Sequence, residues 1–210
     1  MPRDQKRENY MVPSHRNRLE GQHVKLSGLC EKDAATIADW RSDTRFLELW
    51  NTDPLVDRID TSVAAWIRAL SADKSQLVFG VRVRETSELV GIADLSEIEW
   101  PNRVASLGLG IGNPAHWGRG WGTETLRILV DYAFTDLNLY RLQLTVLADN
   151  DRAIRLYERI GFQHEGTFRE FRERDGGRFD MLLYGLLLPE WQNRSDPTTA
   201  ATKRNRSQKR

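Results

Sequence analysis

The run Gly112-Asn113-Pro114-Ala115-His116-Trp117-Gly118-Arg119-Gly120-Trp121-Gly122-Thr123 joins two segments whose apolar residues follow different periods. Before it, Leu107, Leu109 and Ile111 alternate as on a strand; after it, Leu126, Leu129, Val130, Ala133 and Phe134 recur at helical spacing. The order strand, loop, helix follows. Gly118, Gly120 and Gly122 leave a turn without Cβ atoms, so backbone N–H groups can approach an anion at the positive end of the helix dipole. A tight turn before a helix is the plain structural alternative. The run lacks the Gly-Lys-Ser/Thr ending of a nucleotide triphosphate loop. Its glycine spacing, with no acidic residue closing a following strand, also fits a dinucleotide fingerprint poorly.

A second segment narrows the choice. Leu142 to Leu147 reads as a strand, and Asp149 to Phe162 reads as a helix capped at Asn150 and ended by Gly161. Gly118-Arg119-Gly120-Trp121-Gly122 followed by Asn150-x-Arg152-Ala153-Ile154-x-Leu156-Tyr157-Glu158-x-Ile160-Gly161-Phe162 resembles the GNAT acetyltransferase superfamily. Within it the chain is most similar to the RimJ/RimL-like branch and the spermidine N-acetyltransferases. The likeness runs from about Arg18 to Trp191, through Asp131-Tyr132-Ala133-Phe134, Leu137-Asn138-Leu139-Tyr140, Glu165-Gly166 and Gly177-Arg178-Phe179. It implies an α/β (α+β) mixed sheet, twisted and mostly antiparallel, flanked by helices, with acetyl-CoA at splayed central strands. The implied activity is transfer of an acetyl group to a primary amine by direct attack on the thioester.

Three chemical demands can then be matched to residues. Backbone donors from Trp117, Gly118, Arg119, Gly120, Trp121, Gly122 and Thr123 would hold the coenzyme A diphosphate, with the Arg119 charge and the Thr123 hydroxyl assisting. Leu109, Gly110 and Ile111 would lie along the pantetheine, as the resemblance implies, and supply an oxyanion-binding N–H. Family members commonly carry Gln or Arg where this chain has Trp117, a change that leaves the backbone cradle in place. Arg152 and Ile154 belong to the matched helix motif on the cofactor side. Asn150 caps that helix, and the resemblance adds a hydrogen bond to pantetheine.

Tyr157 sits at helical spacing with Ile154 and Ile160, the pattern of a core residue. The family's Leu-Tyr-Glu motif makes it instead the general acid for the departing thiolate, since a phenol with a pKa near ~10 is protonated at neutral pH. The acceptor must lose a proton before it can attack. Many relatives place Glu in an Ala-Glu-Leu-Gly string where this chain reads Ala105-Ser106-Leu107-Gly108. Water, or Glu97 and Glu99 on one face of the preceding strand, is the expected route; both glutamates could equally be solvated edge groups.

The chain has 210 residues, 40% of them hydrophobic and 29% charged, with a net charge of +1, which suits one domain and argues against bulk attraction to nucleic acid or membrane. No apolar run reaches the ~20 residues of a membrane helix. The single Cys30 reads as a small buried hydrophobe, and His15, His23, His116 and His164 show no metal-ligand spacing, so no metal is expected. With no secretory pattern from Met1 to Asn9, the cytoplasm is the expected compartment.

The expected organisation is a flexible tail over 1–17, an acetyltransferase domain over 18–191 and a basic tail over 192–210. Strands are expected at His23 to Leu26, Leu77 to Arg84, Leu89 to Trp100 and Val104 to Ile111, helices at Lys32 to Arg41 and Thr61 to Ala72. A last hairpin pairs Phe168 to Arg174 with Phe179 to Leu188. Acceptors stay open. Asp43, Glu48, Asp53, Asp57 and Asp60 could line a polyamine groove or serve as caps, while Phe46, Leu49 and Trp50 suit an aromatic or peptide acceptor. A homodimer is the commonest closed assembly. An acyl-CoA-binding sensor or assembly module is the alternative from another functional class.

Overall fold

A computed structural model describes residues 18–42, 60–174 and 176–195. The acidic and aromatic residues between 43 and 59, the tail over 1–17 and the basic segment from 196 onward lie outside the described residues. The strands are β1 (Val24–Gly28), β2 (Leu77–Val83), β3 (Leu89–Glu99), β4 (Val104–Ile111), β5 (Arg141–Leu147), β6 (Gln163–Arg174) and β7 (Gly177–Leu187). Helices among the described residues are α1 (Ala34–Ser42), α2 (Asp60–Ala69), α3 (Trp121–Thr135), α4 (Asp151–Ile160) and α5 (Leu188–Ser195). Helix α5 continues past Trp191, where the basic tail was expected to begin. None of these helices is long and apolar enough to cross a membrane.

One seven-stranded sheet has the order β1-β2-β3-β4-β5-β7-β6. Strands β2, β3 and β4 form the antiparallel meander expected from their short connecting turns, and β1 pairs antiparallel with β2 at the sheet edge across the intervening helices. Strand β6 starts five residues earlier than the expected Phe168, at Gln163. Its first residues are polar and exposed, so no apolar alternation marks them; pairing with β7 supplies their hydrogen bonds. Strand β7, not β6, lies against β5.

The β4 and β5 strands are parallel but pair only at Val104–Arg141, Ala105–Leu142 and Ser106–Gln143. Beyond Ser106 the two strands separate, and the sheet opens as a V between Leu107–Ile111 and Leu144–Leu147. Parallel neighbours need a crossover, and α3 provides it. Helix α3 buries Leu126, Leu129, Val130 and Ala133 against Ala93, Leu95, Leu107, Leu142 and Leu144, all 6% exposed or less. A second cluster joins Ile37 and Trp40 of α1 and Val63 and Ile67 of α2 to Leu89 and Ile92. Because Ile92 and Ala93 are adjacent on β3, the two clusters occupy opposite faces of the sheet.

Gly112 fixes α1 against the end of β4, because the Trp40 ring lies where a Cβ would stand. Replacing Gly112 by Ala is expected to cost ~1–3 kcal/mol through overpacking of the ring. A thermal melt checks this, and an unchanged melting temperature would show that Trp40 yields freely.

Candidate active site

The glycine run builds an anion cradle from local forces. Asn113 Oδ1 accepts from Ala115 N at 2.9 Å and starts a 3₁₀ turn at Pro114–His116. The Trp117 indole Nε1–H donates to Ile111 O at 2.9 Å, which ties the loop back to the end of β4. Trp117 is therefore a latch for the loop as well as part of its wall. Gly118 and Gly120 have φ of +78° and +83°, a region that costs a β-carbon-bearing residue ~1–2 kcal/mol. Gly120 is the N-cap of α3 and supplies no side-chain acceptor. The first N–H groups of α3, at Trp121, Gly122 and Thr123, thus lack intrahelical partners and are available to an anion.

This cradle opens into a cleft of about 330 Å³. Its walls include Leu109, Gly110, Ile111, Trp117, Gly118, Gly120, Trp121, Gly122, Thr123, Asn150, Arg152 and Tyr157. All were singled out from the sequence, and the fold brings them together from β4, the loop, α3 and α4. Gly112 N donates to Val90 O at 2.9 Å, so Ile111 opposite Gly91 is a pair that does not exchange hydrogen bonds. By the antiparallel alternation, the backbone N–H groups of Ile111 and Leu109 turn away from β3, towards the opening left by β5.

Two residues assigned to the cofactor do not line this cleft. Arg119 is exposed, with its guanidinium 5.2 Å from the Trp121 ring, and Ile154 packs against the main core. Sequence reasoning also passed over several residues in the walls, among them His116, Thr145, Arg155 and Arg159. His116 sits 5.2 Å from the Trp121 ring, and its buried Nδ1 has no partner among the described residues. A ring nitrogen there can donate or accept according to its tautomer. Arg152 stacks 4.5 Å over Trp117 and brings positive charge to the rim.

Asn150 caps α4 by accepting from Ala153 N at 3.1 Å, which leaves its amide NH₂ for a ligand. Tyr157, one turn before the helix end at Gly161, is 8% exposed and packs edge-on to Phe162 at 6.0 Å. It is at once a core residue and part of the cleft wall. Burial, with a smaller contribution from the negative charge of Asp94, pushes its phenol up to about 12. The hydroxyl is therefore held protonated and can donate.

Glu97 and Glu99 line no part of this cleft, and they do not follow the simple alternation expected of them. The β3–β4 register slips between Ser96 and Glu99, and Glu97 has φ +51°. The slip turns the Glu97 carboxylate onto Ser106, whose Oγ–H donates to Oε2 at 2.6 Å. Glu99 instead accepts from Asn102 Nδ2 at 2.6 Å within the β3–β4 turn. Asp94, unnoticed in the sequence, stands opposite Gly108 and nearer the V. Burial raises the pKa of its carboxyl, against a lowering hydrogen bond from Ser96. The signal that could have revealed it is a single acid in the apolar run Val90-Gly91-Ile92-Ala93-Asp94-Leu95.

A V-shaped opening between parallel strands, with an anion cradle on one side and a buried phenol beside it, suits a thioester attached to a diphosphate. The acetyltransferase (GNAT) domain model matches residues 23–163, and the chain belongs to this family of N-acetyltransferases. The chain is similar to the uncharacterized N-acetyltransferase p20 of Bacillus licheniformis, with 30% identity over 161 residues covering 76% of this chain and 90% of p20. A structure of spermidine N-acetyltransferase from Vibrio cholerae in complex with CoA and spermine superposes with a TM-score of 0.75 at 25% identity, covering 82% of this chain and all 100% of that one. RimJ of Mycobacterium smegmatis in complex with CoA-disulfide gives a TM-score of 0.70 at 27% identity, over 80% of this chain and 83% of RimJ. The protein is an N-acetyltransferase that transfers acetyl from acetyl-CoA to an amine.

Proposed function

We propose that the acceptor is a primary amine and that the reaction is direct attack on the thioester, organised by the residues of the V. The observation that carries this reading is the meeting of the uncapped N-terminus of α3 with the buried hydroxyl of Tyr157 in one cleft. Trp117 to Thr123 hold the diphosphate through backbone donors, with Arg152 at the rim. Pantetheine runs along Leu109 to Ile111, and a Leu109 or Ile111 N–H receives the oxyanion that forms when nitrogen attacks the carbonyl carbon. As the C–S bond breaks, Tyr157 donates to the departing sulfur. Glu97, held by Ser106, is the outward carboxylate through which water carries the acceptor's proton to solvent.

Spermidine and protein amino termini are both acceptors compatible with such a site, and relatives of both kinds support testing them. Cys30, expected to be buried, is instead exposed where it precedes the turn at Glu31–Asp33; a free surface thiol favours a reducing compartment, and we place the enzyme in the cytoplasm. We also propose a homodimer; exposed Phe168 and Phe171 on the edge strand β6 offer it an apolar contact.

The test is thiol release from acetyl-CoA with spermidine, simple primary alkylamines and an alanine-initiated peptide. Release that depends on an added primary amine, with one acetylated amine formed per thiol, is expected. Thiol release that is the same with and without any amine would overturn the reading.

A further inference from the structure

The opposite face of β4 is lined by small residues: Ser106, Gly108 and Gly110 share one side of the strand. Gly108 is paired with Asp94, and the Asp94 side chain lies over it. Its Cγ and Oδ2 are 3.0 and 3.3 Å from the place a Gly108 Cβ would take, with Oδ1 closer still. A side chain at 108 would exclude the carboxylate; glycine lets it lie over the strand. Gly108 also lies beyond Ser106, the last β4 residue paired with β5, so the carboxylate lies over β4 where the sheet has opened.

Among the described residues Asp94 forms no ion pair; it keeps a hydrogen bond from Ser96, and the next side chain on its own face of β3, Ile92, is 3% exposed. The charge of Asp94 is felt by Tyr157, the proposed donor to sulfur. A half-buried carboxylate with no counter-charge costs free energy that a cation brought to it would offset. Glu97, the other acid on this face, is more exposed and already holds the Ser106 hydroxyl.

We propose that Asp94 is the carboxylate that receives the acceptor: it pairs with the alkylammonium at the opening of the sheet and takes the proton whose loss frees the nitrogen lone pair. The assignment rests on the acetyl-transfer reading and gives that reaction its missing base. Proton transfer from the ammonium to Asp94 leaves two neutral partners, which a dry site favours over an ion pair. The nitrogen lone pair forms the C–N bond, and sulfur leaves with the C–S electron pair. Over the reaction the nitrogen sheds two protons. One passes through Asp94 and Glu97-linked water to solvent, and the other replaces the proton that Tyr157 gives to sulfur.

The experiment compares the wild type with Asp94→Asn, using spermidine, which is charged at neutral pH, and hydroxylamine, which is largely uncharged there. For Asp94→Asn, kcat/KM with spermidine is expected to fall by ~10² or more, while hydroxylamine changes by less than about threefold. Calorimetry should find acetyl-CoA affinity unchanged. Asp94→Glu should recover part of the spermidine rate, which loss of shape alone would not produce. If Asp94→Asn fails to fold, Gly108→Ala, which displaces the same carboxylate, should show the same split between the two nucleophiles. Retention of the spermidine rate by Asp94→Asn, or equal loss with both nucleophiles, overturns the assignment. Calorimetric titration of spermidine into the CoA-bound protein separates the two readings. A wild type that acetylates no amine overturns acetyl transfer, whereas spermidine binding to Asp94→Asn at wild-type strength overturns the role of Asp94 alone.

Discussion

Tyr157→Phe is expected to lower kcat by about 10² or more while leaving the affinity for acetyl-CoA nearly unchanged. The phenol ring is packed against Phe162 and lost exposure on folding, so Phe preserves the packing and removes only the hydroxyl. Steady-state kinetics under conditions where chemistry limits the rate, with calorimetry for acetyl-CoA, separates the two effects. A Phe variant with the wild-type kcat would return Tyr157 to a purely structural role. The raised pKa adds a second readout. With a folded-state value of about 12 and an unfolded value near ~10, the unfolded chain loses this proton first. Stability from this group is full below the unfolded value and is lost as pH climbs through the folded one, and the Phe variant should lose less over that window. The same value means that ionisation of Tyr157 imposes no fall in kcat near neutral pH.

Gly120→Val is expected to weaken acetyl-CoA binding at least tenfold, equivalent to ~1.4 kcal/mol. The reason differs from simple collision, because the space around a Cβ at 120 is open among the protein's own atoms. What the substitution meets is a φ of +83°, which a β-branched residue avoids. Relaxing to negative φ would swing the N–H groups of Trp121 to Thr123 away from the diphosphate, and the new methyl groups would stand in its path. Gly176 provides the control: it has φ +75°, an equally open Cβ position, and lies in the β6–β7 turn. Gly176→Val should impose a similar backbone strain and leave acetyl-CoA affinity intact. Equal affinity in wild type and Gly120→Val by calorimetry would remove the cradle from the binding site.

Much of the site was legible because its parts are local. Gly118 and Gly120 are required by left-handed backbone, Asn150 by an orphan N–H at the start of α4, and Gly161 by its φ of +122° at the end. Such requirements act within a few residues, so the letters report them directly. The family resemblance then placed Tyr157 beside the cradle. Pattern alone gave it the core, and in the structure it is buried and on the cleft wall at once.

The acidic residues show where local reading ends. Period-two alternation put Glu97 and Glu99 on one face of β3, but the register slip against β4 sent Glu97 to Ser106 and left Glu99 bound to Asn102. A slip of this kind depends on the partner strand, and nothing within β3 announces it. Asp94 was missed for the same reason: its significance lies in Gly108, fourteen positions on, which is its neighbour only through pairing.

The sequence by itself determined the elements, their caps and the glycine cradle, because hydrophobic period and backbone conformation are set by near neighbours. The tertiary structure alone decided that β7 enters between β5 and β6, that β4 and β5 part after Ser106, and that the Asp94 carboxylate lies over Gly108 just beyond that point, near enough for its charge to act on Tyr157. Those outcomes turn on which strand edges find each other across long stretches of chain. Alternation tells which face of a strand is apolar, but not which strand will lie beside it.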